Sequence, residues 1–467
     1  MTGIKRLADL PNPPTDGLMG HLKTIKSARM HKQLLLWSYE YNGLYRIRLA
    51  NRKAVVVAQR SLLQYALKNR PAVFRRYSVT ARVLDELNIN GIFSAEGENW
   101  QHQRELINNA FNGARLRYFF PAISRITNNL VSKARDLSTA GESIDVKTLF
   151  AEYTLDTISS LVFAYDINTL NQKNDPLHGH LSAIFPGINA RISSLFPLWK
   201  LIKNEKDKKL EAGITALIAL LKKSMANTRK KITDNPILLE QPENLLQAML
   251  AECIKSNEHF SEDVVLSNAI TFMLAGEDTT ATALSWLSHL LSVHPDIQAA
   301  VRKEIQALPD GTFQQWPLPR IPLLNACIHE SMRVKPIAPI MYLEACKDTT
   351  LGELRIPKGQ MVVLLIHALA KDEDRFPDAN QFNPYRWLSE NNLSRVTDMA
   401  PFGGGARVCP GRSLALIEMK MAMCQLLKQF EFEAVDSSQV QEKFECVVMP
   451  DNLRIRLKAR TPSAVTA

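Results

Sequence analysis

From Ser261 to Val293 the chain runs for about 30 residues with no proline and a single glycine, Gly276. Ser261 is a good helix N-cap, and Glu262 and Asp263 place negative charge in the first turn, where the helix dipole favours it. The segment predicts one unbroken helix, far longer than the usual ~10–14 residues. It is apolar on nearly every side, so it has no solvent face and must run through the interior. A chain built around such a rod has to be mainly α and thick enough to cover it, and 467 residues are enough.

The flanking sequence agrees. A second helix follows Pro295 and carries Glu304. A third spans roughly Pro322 to Val334 and stops ahead of Pro336, and a fourth starts just after Cys409 and reaches about Phe430. Strand signals are fewer. Tyr45, Ile47 and Leu49 alternate with Arg46 and Arg48, and Ala54 to Val57 follow a short polar turn. Met361 to Ile366 is a short apolar run, and Leu453, Ile455 and Leu457 alternate with Arg454 and Arg456. The expected fold class is mainly α with a small β region contributed from both ends of the chain. No repeat or Gly/Ser-rich linker divides it. Residues 1–467 are therefore expected to form a single large domain, with 1–20 an extended polar N-terminal segment and 460–467 a flexible tail.

The net charge of +10 admits nucleic acid, an anionic membrane surface or an acidic protein as partner. No run of five like charges and no nucleic-acid-binding motif is present, so nucleic acid is not expected. The six cysteines, Cys253, Cys327, Cys346, Cys409, Cys424 and Cys446, lie far apart with no zinc spacing. They read as reduced thiols in a cytoplasmic protein. The N-terminus lacks the apolar core of a signal peptide, and no span is long enough for a transmembrane anchor. The apolar stretch Leu195 to Ile202 precedes basic residues and suits either a membrane surface or the interior; burial in a helix or loop is the expectation.

Chemistry concentrates in a few segments. In Phe402-Gly403-Gly404-Gly405-Ala406-Arg407-Val408-Cys409-Pro410-Gly411, three glycines permit a tight turn close to a flat ligand. Cys409 precedes a helix whose free N–H groups and dipole favour a thiolate. Arg407, two residues before the sulfur, suits a carboxylate at a cofactor's edge. The segment fits neither GxxxxGK[ST] nor GxGxxG, so it is no phosphate loop. In the middle of the long helix, Ala275-Gly276-Glu277-Asp278-Thr279-Thr280 sets a glycine, two acids and two β-branched threonines where a buried helix wants none of them. Local rules broken together mark a functional site. Thr279 can bond back to a carbonyl and loosen the backbone ladder.

Glu330 and Arg333 share a helix face, which alone means little. Asn380-Gln381-Phe382-Asn383-Pro384-Tyr385-Arg386-Trp387 follows, and Trp100 and Arg104 stand four apart near the start. His102, between them, reads as a surface or helix-packing histidine.

These segments together resemble the cytochrome P450 family. Phe402, Gly405, Arg407, Cys409 and Gly411 match its haem-loop pattern, which average residue usage would produce by chance on the order of once in ten thousand such chains. Ala275 to Thr280 is similar to its [AG]Gx[DE]TT motif, Glu330 and Arg333 to its ExxR pair, Phe382 to Trp387 to its FxPxRW segment, and Trp100 and Arg104 to its WxxxR. All five stand in the family's order.

The resemblance implies a single large domain of the P450 fold, with haem b enclosed between the long helix and the cysteine loop with its following helix. Cys409 would ligate the iron. Trp100, Arg104, Ala275, Phe402, Arg407 and Gly411 would contact the cofactor, and Glu330, Arg333 and Arg386 would form a buried network supporting the loop. Asp278 and Thr279 would relay protons to O2, the co-substrate. Ile92, Phe93, Leu274, Ala338, Pro339 and Ile340 would line a pocket for a lipophilic substrate: a fatty acid, terpenoid, steroid or similar. No flavin or nicotinamide fingerprint is present, so a separate ferredoxin or flavin reductase, acidic to suit the charge, would supply two electrons. One departure stands out. Relatives often carry a basic propionate partner in the strand after ExxR, and Ile337 to Glu344 contains none. Two other readings stay open: a haem-thiolate enzyme that needs no dioxygen, such as a peroxygenase, isomerase or dehydratase, and a non-enzymatic haem sensor or electron carrier.

Overall fold

The computed structural model describes residues 4–25, 27–163, 167–172, 176–194, 196–256, 259–309, 311–389 and 394–460. Its helices are α1 (Met30–Glu40), α2 (Arg60–Lys68), α3 (Ser78–Glu86), α4 (Gly97–Ala110), α5 (Leu116–Thr139), α6 (Val146–Phe163), α7 (Pro176–Ser193), α8 (Glu205–Asp234), α9 (Leu245–Lys255), α10 (Glu262–Val293), α11 (Pro295–Gln306), α12 (Pro322–Val334), α13 (Ile366–Ala370) and α14 (Arg412–Gln429). Its strands are β1 (Leu44–Leu49), β2 (Arg52–Val57), β3 (Phe74–Arg76), β4 (Ile144–Asp145), β5 (Ile340–Ala345), β6 (Thr349–Leu351), β7 (Leu354–Ile356), β8 (Met361–Leu365), β9 (Phe430–Val435), β10 (Gln441–Phe444), β11 (Val448–Asp451) and β12 (Arg454–Ala459).

The rod predicted from the sequence is α10. Ser261 caps it, its hydroxyl accepting the Val264 amide at 3.4 Å. Most of the helix is buried, from Val265 to Leu274 with few breaks and again from Thr280 to Ser292. It packs most extensively on α6. Gly276 makes that approach possible, since a Cβ there would lie 2.9 Å from Ile158. The helix α14 packs against both α5 and α10 and closes the other side.

The main sheet has the order β1-β2-β8-β5-β3. The N-terminal hairpin joins it through parallel pairing of β2 with β8, Val55 opposite Val362. The C-terminal strand does not join it. β12 pairs instead with β9 and β4 in a separate three-stranded sheet, so both ends of the chain contribute strands but to different sheets. Alternation records that a strand has one buried face, and it carries no information about which strand lies beside it.

The stretch expected to be buried is not. Leu195 lies outside the described residues, but Phe196 and Leu198 are exposed, and Leu201 is 84 % and Ile202 78 % exposed. The stretch connects α7 to α8, which pack on each other. Trp199 turns inward, its indole N–H donating to Glu86 at 3.2 Å and its ring under the Arg191 guanidinium. His102 packs on His259 and Phe260, as a helix-packing residue does. Of the expected tail, Arg460 still bonds through its amide to the Gln429 carbonyl at 3.0 Å, and 461–467 lie outside the described residues. Among the described residues, no helix is long and apolar enough to cross a membrane.

Candidate active site

The cysteine loop is closed by its own backbone. The Cys409 amide donates to the Phe402 carbonyl at 2.9 Å, across a single helical turn from Gly405 to Arg407. Gly403 and Gly405 have φ of +73° and +66°, the left-handed region that glycine enters freely. Gly405 also lies against the end of α2, where a Cβ would come within 2.4 Å of the Leu67 carbonyl oxygen. The expected close approach is thus to protein backbone as well as toward the sulfur, which sits 3.7 Å from the Cβ position of Gly411. Burial pushes the Cys409 thiol up; the N–H groups of Gly411 and Arg412 and the Arg104 guanidinium pull it back toward the thiolate. The residue is accessible, with the Arg104 guanidinium near its sulfur.

Helix α4 ties this loop to α10 through two consecutive residues. Arg104 Nη1 donates to the Val408 carbonyl at 2.9 Å, and Gln103 Oε1 accepts from Asn268 Nδ2 at 2.9 Å. Trp100, on the preceding turn, is buried beneath the Arg407 guanidinium, 4.6 Å from the ring centroid. Arg407 Nη2 donates to Glu96 and to the Ala95 carbonyl at 2.7 Å. Its Nε and Nη1 are buried without a hydrogen-bond partner among the described residues.

Along α10, accessibility opens abruptly at Ala275, which is exposed in the middle of a buried helix, and closes again at Thr280. Leu274 is buried beside it. Thr279 Oγ1 donates to the Ala275 carbonyl at 2.8 Å, and the helix continues through it. Asp278 is raised by burial and feels Lys147 and Glu445 rather than Thr279. Glu277 is pushed up to about 8 by burial and by Asp278. Among the remaining pocket candidates, Ile92 is buried with its amide donating to Asn268 Oδ1 at 2.9 Å. Ala338 is exposed, Pro339 buried and Ile340 half-buried. Phe93 is exposed, and its ring carries the Arg76 guanidinium 3.5 Å above its centroid.

Glu330 and Arg333 are fully buried. Arg333 donates twice to Glu330, at 2.8 Å each, and to the carbonyls of Ala370, Ala379 and Gln381. Arg386 Nε reaches the same carboxylate at 3.0 Å. Trp387 completes the arrangement with an indole N–H donated to Glu330 Oε2 at 2.8 Å. Sequence reading had Trp387 in its motif and gave it no role.

The family model described as Cytochrome P450 matches residues 11–457. The chain belongs to the cytochrome P450 family. It is 26 % identical over 444 residues to the probable cytochrome P450 516A1 of Dictyostelium discoideum, covering 93 % of this chain and 90 % of that one. It is 28 % identical to cytochrome P450 3A29 of Sus scrofa, covering 76 % and 72 %. Against the chloroplastic protein LUTEIN DEFICIENT 5 of Arabidopsis thaliana it is 22 % identical, covering 91 % and 73 %. P450s use haem b and O2 and are monooxygenases, so this P450 is a haem-dependent monooxygenase.

The side chains of this P450 fit that cofactor. An accessible sulfur at a helix start suits an iron ligand, unpartnered buried guanidinium nitrogens on Arg407 suit a propionate, and the opening at Ala275 leaves room on the helix side. Three other contributors escaped sequence reading. Asn268 and Gln103 fix the 89–95 loop, and a polar residue on an otherwise apolar helix was the available signal. Thr280 hydrogen-bonds the buried Glu418 of α14, which burial pushes up to about 8.

Proposed function

We propose that this P450, a single domain working in the cytoplasm, inserts one atom of O2 into a lipophilic small molecule such as a fatty acid, terpenoid or steroid. A separate acidic donor supplies the two electrons. The observation that carries the reading is the opening at Ala275, in mid-helix beside the buried Leu274, with the Thr279 hydroxyl one turn on. Haem with a thiolate ligand supplies the oxidising chemistry, because the thiolate pushes electron density onto iron and favours O–O cleavage.

The chain's own side chains do the rest. The Gly411 and Arg412 amides and the Arg104 guanidinium favour the thiolate of Cys409 against the burial that raises its thiol, and iron ligation would complete the deprotonation. Trp100, Arg104 and Arg407 bind the carboxylate edge of the cofactor, and Phe402 and Gly411 frame the sulfur. Ile92, Phe93, Ala338, Pro339 and Ile340 keep the substrate among apolar groups and exclude water. Asp278, whose raised carboxyl holds a proton to higher pH than an ordinary aspartate, passes it to the Thr279 hydroxyl as that hydroxyl hands its own proton on toward O2 in the opening. For that transfer Thr279 must release the Ala275 carbonyl. Glu330, Arg333 and Arg386 hold the loop in place. An acidic ferredoxin or flavin reductase is suited to the exposed cations Lys68 and Arg412, which border a cleft of about 440 Å³ against Phe402 and Gly404.

The test is an absorption spectrum of the reduced carbonyl complex, followed by titration of a lipid and terpene panel. A thiolate-type Soret band and a ligand-induced spin shift are expected, with turnover only when an electron donor is added. Cys409→Ser should abolish activity. A Soret band placed as for histidine ligation, or turnover without a donor, overturns the reading.

A further inference from the structure

Beside the cysteine loop, three guanidiniums gather around one carboxylate. The Arg76 amide donates to Glu96 Oε1 at 3.0 Å and its Nε to the Phe93 carbonyl at 2.8 Å. Arg407 donates to the other oxygen of Glu96. Arg70, just past the end of α2, is the deepest, at 4 % exposed. Among the described residues its one hydrogen-bond acceptor is the sulfur of Met341, 3.0 Å from Nη1, and a thioether is a weak one. Among the described residues its Nε and Nη2 are buried with no hydrogen-bond partner, like Nε and Nη1 of Arg407.

Native interiors rarely leave several buried guanidinium nitrogens unpartnered side by side, and an anion is the group that would meet them. The next cation, Arg104, has its Nη1 on the Val408 carbonyl. Three guanidiniums against Glu96 therefore leave two positive charges uncompensated, and a haem presents two carboxylates. Burial and Arg407 bring Arg70 down to about 10, and burial and Arg70 bring Arg76 down to about 9, so both stay charged at neutral pH.

The position of Arg70 accounts for the strand that lacks a basic residue. Met341 of β5 is the residue that approaches the cysteine loop, its methyl 3.9 Å from the Cβ position of Gly403. Arg70 touches Met341 from the side of α2, and α2 in turn supports Gly405 through Leu67. We infer that Arg70 binds a haem propionate, supplying from the end of α2 the positive charge that β5 does not carry. The inference rests on the haem-thiolate reading of Cys409.

The test uses the haem-loaded enzyme and its Arg70→Gln and Arg70→Lys variants. Haem transfer to excess apomyoglobin gives the retention, and the propionate bending band in resonance Raman reports the carboxylate directly. Arg70→Gln is expected to lose haem on the order of tenfold faster and to shift that band, with the carbonyl Soret position unchanged. Arg70→Lys, which keeps the charge, is expected to recover most of the retention. Loss rates within twofold of wild type, or equal loss from both variants with an unmoved band, overturn the inference. A histidine-type carbonyl spectrum in the wild type instead overturns the reading beneath it, whatever the variants do.

Discussion

Gly91 and Thr271 stand so close that a Cβ on Gly91 would lie 2.0 Å from the Thr271 hydroxyl oxygen. No residue but glycine fits there, and the loop from Ile89 to Ala95 is pressed onto α10 one turn before Ala275. The adjoining amide of Ile92 is then fixed on Asn268.

Gly91→Ala must push either the loop or Thr271 aside. Overpacking of this kind destabilises by about 1–3 kcal/mol. Because Ile92 moves with the loop, affinity for a lipophilic ligand should fall alongside stability. Chemical denaturation and a ligand titration followed at the Soret band measure the two. A variant with wild-type stability and affinity shows that the loop is not held by this contact.

Glu330→Ala leaves the fully buried Arg333 without its carboxylate, and Arg386 and Trp387 without their acceptor. The expected loss is about 3–5 kcal/mol, with poor haem incorporation. Trp387→Phe removes one hydrogen bond to a charged group, about 1.5–3 kcal/mol, and should leave a folded, haem-containing protein. Urea unfolding of the two variants should rank them in that order.

Thr279→Ala removes a hydroxyl whose one bond is to its own helix. Alanine is the better helix former, so stability should change by less than about 1 kcal/mol. If Thr279 delivers protons, product formed per electron consumed should drop at least twofold. Donor consumption and product measured side by side decide this, and full coupling removes Thr279 from the relay.

Glu418 is buried on α14, and its carboxyl is pushed up to about 8 in the folded protein. The folded state therefore holds a proton that the unfolded chain releases near its ordinary value of about 4.3. That contribution is complete below the unfolded pKa and is lost as pH rises toward 8. In Glu418→Gln the slope disappears. The variant should gain on wild type by roughly 3 kcal/mol between pH 5 and pH 8, measured by denaturation at each pH. A constant difference would mean that Glu418 is not protonated when buried.

Much of the site is short-range in origin and so legible in the chain. The span from Ser261 to Val293 carries its own cap, its own period and its own interruption at Ala275 to Thr280, because all three depend on residues within a few turns of one another. The same holds for the glycine-rich turn that delivers Cys409 to the start of a helix. The Glu330–Arg333 pair is legible as two residues on one face, but nothing local says it is buried. That follows only once Trp387, 57 residues away, is seen to donate to the same carboxylate.

By itself, then, the sequence determined that this protein is mainly α around one buried rod, and that an acid–alcohol pair and a cysteine loop interrupt its ordinary patterns. These are statements about helical period, capping and backbone freedom, which neighbouring residues settle among themselves. The tertiary structure alone decided which partners meet: β12 beside β9, the Phe196 to Ile202 stretch left uncovered, Arg104 on a carbonyl 304 residues away, and Arg70 buried with Nε and Nη2 lacking a hydrogen-bond partner among the described residues. Charge compensation and strand pairing act across space, between groups whose separation along the chain carries no trace of their contact.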